Sequence, residues 1–134
     1  MTEQKKMEEL DRLSKEAWEA TYFEAEMTKE AEAAKKAAAD AEAIAEAVLN
    51  KVDQINRAKA RLKADIEAKA KAGMSTEVLE SFSVDPAPNP DEELRAADEA
   101  TEKAREMAKL AEDAEAKAKV ARHKYHAALK ISAS

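Results

Sequence analysis

The chain contains no cysteine, one glycine and three prolines in 134 residues, and only 4% of it is aromatic. Without cysteine there is no disulfide staple and no thiolate metal site. A single glycine cannot build a glycine-rich phosphate loop. A chain this poor in aromatic residues cannot bury a thick globular core, so its buried surface must be a thin stripe. No apolar run approaches the ~20 residues needed to cross a bilayer. The segment from Met1 to Glu9 is polar and charged, unlike a secretory signal. A cytoplasmic or virion-type soluble setting is therefore expected, with no transmembrane span. The net charge of −6 argues against generic nucleic-acid binding by the whole chain.

What the chain has in abundance is Ala, Glu and Lys, with 39% of residues charged, the composition of long helices. Apolar residues recur at alternating steps of three and four. The first seam runs Leu10, Leu13, Ala17, Ala20, skips at Glu24, and resumes with Met27, Ala31, Ala34, Ala38, Ala41, Ala45, Val48, Val52 and Ile55. Lys59 interrupts it once, and Leu62 and Ile66 close it. A second seam runs Ala100, Ala104, Met107, Ala111, Ala114, Ala118, Ala121, Tyr125, Ala128. A repeat of seven means helices packed side by side along their length. Burying one alanine methyl gains only about 0.8 kcal/mol. Alanine offsets this with the best helix propensity and with helix axes that approach near the lower end of the usual ~8–10 Å range.

The fold class these patterns predict is all-α: an elongated antiparallel helical hairpin, or coiled coil, with an Ala-rich seam. It forms one domain over residues 1–134. The first helix covers 3–72, about 105 Å at ~1.5 Å per residue, and Gly73 stops it behind Lys69 and Lys71. Asn50, Asp53 and Asn56 are weak helix formers, so a three-helix bundle with a break at 50–56 is the alternative. The connection is 73–90. Ser75 caps a short helical turn near 76–82 that carries Val78, Leu79 and Phe82, and Asp85-Pro86-Ala87-Pro88-Asn89-Pro90 is stiff and extended. Asn89, Pro90 and the acids that follow start a second helix over 91–130.

Charge selects the pairing direction. Residues 51–72 carry a net +4 and 73–93 a net −6, while 117–134 hold five basic groups and no acid. Folding at the connection sets the basic end of the second helix beside Glu32, Asp40, Glu42 and Glu46 and favours an antiparallel hairpin. On that reading the first helix overhangs the second, which runs out near residues 30–35. The overhang holds Leu10, Leu13, Trp18, Tyr22, Phe23 and Met27, and three of these are among the chain's five aromatic residues. Trp18 and Tyr22 lie off the main seam, on a second face. Trp, Tyr and Met are enriched at binding surfaces, so these six residues are the expected partner-binding set. A second candidate is the basic end, Lys117, Lys119, Arg122, Lys124 and Lys130. It can dock acidic protein or phosphate, or simply complement the helix dipole and the first helix.

Catalytic chemistry finds no foothold. His123 and His126 are three apart, but the Glu-x-x-His pattern of di-iron bundles is missing, because Val120 precedes His123 by three. Carboxylates are spread along both helices and single out no acid–base pair. The expectation is a non-enzymatic protein without metal or cofactor. In general character the chain resembles the small Ala/Glu/Lys-rich helical proteins of bacteriophage particles, scaffold and minor virion components, in which an acidic helical body carries a basic helical end. That resemblance implies a structural or assembly role with protein partners, either self-association or a larger assembly, and no membrane. An adaptor that captures one protein partner, and a nucleic-acid-associated protein using the basic end, are the competing expectations.

Overall fold

A computed structural model describes residues 2–133, and it is all-α. Helix α1 runs Glu3–Lys71, the short α2 Glu77–Glu80, and α3 Asp91–Ala133. α1 packs against α3 as a helical hairpin. α1 passes through Asn50, Asp53 and Asn56 without a break. The continuous seam of Val48, Val52 and Ile55 outweighs three weak helix formers, and an i,i+4 pair of Arg57 with Asp53 at 3.1 Å supports that stretch.

The helix ends follow local chemistry. Gly73 adopts φ +70, the left-handed conformation glycine reaches without a Cβ penalty. The amide of Met74 then donates to the carbonyl of Lys69 at 2.9 Å, and that of Gly73 to the carbonyl of Ala70 at 3.1 Å. This pair of bonds satisfies the last carbonyls of α1. The Oγ of Ser75 accepts from the amide of Glu77 at 3.4 Å at the start of α2. Asn89 Oδ1 accepts from the amide of Asp91 at 3.0 Å, and the Pro90 carbonyl accepts the first α3 bond from Leu94 at 2.9 Å.

The hairpin comprises two compact units. The first joins the chain up to Ala38 with the chain from Ala100 onward. Its core is the seam read in the sequence, with Leu13, Ala17, Ala34 and Ala38 buried on α1 and Ala114 and Ala118 on α3. The second unit is Ala39–Glu99. There Ala45 and Ala97 are buried. Farther along this part of α1, Val84 of the extended connection joins Lys59, Leu62, Lys63 and Ile66 in lining a shallow cleft.

The excess length of α1, 69 residues against 43 for α3, therefore falls at its C-terminal end, and the expected N-terminal overhang is absent. Residues 6–24 of α1 are partnered by the end of α3. Arg122 bonds to Thr21 and Glu24, and Leu10 shares a cleft with Ala128 and Ile131. The basic end thus lies beside Glu24 and its neighbours, not beside Glu32, Asp40, Glu42 and Glu46. The physical reason is the rise of the chain. An extended Pro-rich stretch advances ~3.1 Å per residue and a helix only 1.5 Å. Each residue of the connection that runs back along α1 therefore passes two helical residues, and α3 begins well up the first helix.

Candidate functional site

The six residues expected to bind a partner divide once α3 is in place. Leu13 is buried and Leu10 half-buried, so both serve the hairpin's own interior. Met27 is half-buried on the same seam. Trp18, Tyr22 and Phe23 remain exposed, at 68%, 59% and 52%.

Trp18 and Tyr22 form a unit. They are four apart, so they lie one turn above the other on one helical face. Their rings are stacked, with centroids 5.9 Å apart and planes inclined by 12°. Aromatic pairs at this separation attract beyond their shared burial, by about 0.5–1.5 kcal/mol. Stacking also limits the rotamers open to both rings, so less ordering is left to be lost on binding. Phe23 follows Tyr22 by one residue, about 100° round the helix, and belongs to a different face.

Thr21 lies between the Trp18–Tyr22 face and the seam and ties that surface to α3. Arg122 Nη1 donates to Thr21 Oγ1 at 3.0 Å and lies 3.3 Å from Glu24 Oε2. Of the expected basic set, Arg122 is thus engaged with α1. Lys117 and Lys124 line a cleft with Glu16, Ala116, Val120 and Ala121. Lys117, Lys119, Lys124 and Lys130 have no ion pair among the described residues. The remaining pairs are local. Arg12 bridges Glu9 at 2.8 Å and Glu16 at 2.9 Å, and its pKa is raised, first by the hydrogen bond to Glu9 and then by the charge of Glu16.

A surface outside the sequence-derived set lies in the second unit. Met74, Val78 and Phe82 are all exposed around α2, although Leu79 is half-buried. Their close spacing next to the only glycine was the available signal. Among the described residues no cluster of three or more His, Cys, Asp or Glu could hold a metal ion, and no helix is long and apolar enough to cross a membrane. No protein-family model matches the chain, and neither a curated protein nor a solved structure matches it.

Proposed function

We propose that this chain is a non-enzymatic structural or assembly protein that docks onto a larger protein assembly through the stacked Trp18–Tyr22 pair. The observation that carries this reading is the pair itself: two large rings, stacked at 5.9 Å and more than half exposed, on the outer surface of a helix whose inner surface is packed. Trp and Tyr are the residue types that most often dominate protein interfaces. Rings held by each other on a rigid helix meet a partner with little ordering cost. The bond from Arg122 to Thr21 fixes the helix beneath them. A virion or scaffold-type setting fits the Ala/Glu/Lys-rich composition and the basic end of α3.

The test is photo-crosslinking in the producing cell, from a benzophenone amino acid placed at exposed Lys15 or Ala25, which flank the pair. A discrete protein adduct that disappears with Trp18→Ala/Tyr22→Ala supports the proposal. The same adducts with and without the rings, or none at all, would refute it.

A further inference from the structure

We infer that a second copy of this chain packs on the opposite side of the first unit, the side that carries Phe23, to close an antiparallel four-helix arrangement. The surface is defined by two heptad edges. On α1 the edge runs Glu16, Phe23, Glu30 at intervals of seven; on α3 it runs Lys103, Leu110, Lys117, Lys124 at the same interval. The clefts between the helices put these edges on one side: Glu16 with Lys117 and Lys124, and Glu30 with Lys103 and Met107. The floor of that side is small, with Ala33, Ala34, Ala37 and Ala100 in one cleft and Ala121 in the other. Phe23, Leu110 and Val120 stand exposed above it at 52%, 47% and 53%. Large apolar side chains beside an alanine floor make a surface of knobs and holes.

Charge chooses the occupant. The α1 edge is acidic and the α3 edge basic. Glu30, Lys103, Lys117 and Lys124 make no ion pair among the described residues, and Arg12 takes up one of the two negative charges on Glu9 and Glu16. A second copy rotated about a two-fold axis parallel to the helices lays its α1 over this α3, and its α3 over this α1. Each acidic edge then meets a basic one, and every neighbouring pair of helices runs antiparallel. The other two-fold, perpendicular to the helices, sets α1 on α1 and places like charges together, which electrostatics disfavours. The interface is self-complementary, as a closed dimer requires.

The area is sufficient. Residues 9–37 of α1 span about 42 Å, and two adjacent helices present a face about 18 Å wide at ~8–10 Å axial spacing. That gives about 700 Å² a side, within the range of stable protein interfaces at ~1,200–2,000 Å² in total. This surface is separate from Trp18–Tyr22, so the two proposals stand or fall apart.

The experiment is sedimentation equilibrium of the full chain and its charge variants from micromolar to millimolar concentration, with far-UV circular dichroism to verify that each variant stays helical. The wild-type chain is expected to dimerise. Lys117→Glu/Lys124→Glu makes both edges acidic, and Glu16→Lys/Glu30→Lys makes both basic. Each should raise the dimer Kd by at least about 100-fold. An equimolar mixture of the two variants, or all four substitutions in one chain, should regain the dimer. Phe23→Glu is a further variant at an already exposed site and should weaken the dimer without loss of helicity. A wild-type chain that stays monomeric over the whole range would overturn the inference. So would a dimer that survives both charge reversals and is lost only with Trp18→Ala/Tyr22→Ala, because that result moves self-association to the stacked pair.

Discussion

Ala118 is 0% exposed, the most buried of the residues in the hairpin's core, and its replacement by glycine separates what the seam contributes from what helix propensity contributes. Ala118→Gly removes one buried methyl, about 0.8 kcal/mol, and adds a helix-interior glycine, about 1 kcal/mol. The sum is about 1.8 kcal/mol. Ala108 sits on the same helix but is exposed, so Ala108→Gly should cost only the propensity part, about 1 kcal/mol. The difference between the two, about 0.8 kcal/mol, measures burial alone. A third variant probes close approach of the helices. Ala118→Leu has nowhere to place its extra carbons and should lose about 1–3 kcal/mol by overpacking. Urea unfolding followed by far-UV circular dichroism gives all three, with the two glycine variants compared at equal slope. Equal costs for the two glycine variants, or a gain in stability for Ala118→Leu, would refute the claim that a thin alanine layer at close axial spacing holds α1 to α3.

Three further outcomes follow from particular contacts. Leu13→Ala should cost about 2–5 kcal/mol in the same unfolding assay because Leu13 is buried against α3, whereas an unpartnered overhang would register almost nothing. Gly73→Ala should cost about 1–2 kcal/mol, entirely from the left-handed backbone, since an added Cβ meets no atom within 4 Å; Gly73→Asn should cost less. Arg122→Ala should lose about 0.5–1.5 kcal/mol, and a double-mutant cycle with Glu24→Gln should show coupling that shrinks as salt is added.

Much of the fold is legible in the sequence because the chain is nearly uniform in its local preferences. With no Gly or Pro between residues 3 and 72, nothing stops α1, and Gly73 then stops it at once. The steps of three and four named Ala17, Ala34, Ala38, Ala45, Ala114 and Ala118 as inward-facing, and all six are buried. The register of pairing was not legible. An alanine seam fits its neighbour almost equally well one heptad up or down, because successive layers are chemically alike. Charge favoured one direction, but exposed pairs worth ~0–1 kcal/mol each discriminate little between registers. What sets the register is the extended path of Val84 to Pro90, whose length per residue is twice that of a helix. An N-terminal overhang, and with it the grouping of Leu10 and Leu13 with Trp18 and Tyr22, follows only from a register in which α3 ends beside residues 30–35, whereas α3 ends beside residues 6–24. Trp18 and Tyr22 were identifiable all the same, because their departure from the heptad seam does not depend on register.

The pairing of α3 with the start of α1 underlies both proposed surfaces, and one distance tests it. The chain has no cysteine, so Lys15→Cys/His126→Cys gives two unique spin-label sites on exposed positions. Dipolar electron paramagnetic resonance on labelled chains diluted into excess unlabelled protein isolates the distance within one chain. If the end of α3 lies beside residues 6–24, the labels sit roughly level on adjacent helices, about 15–20 Å apart. A separation near 40 Å, as expected if α3 ran out beside residues 30–35, would contradict the account.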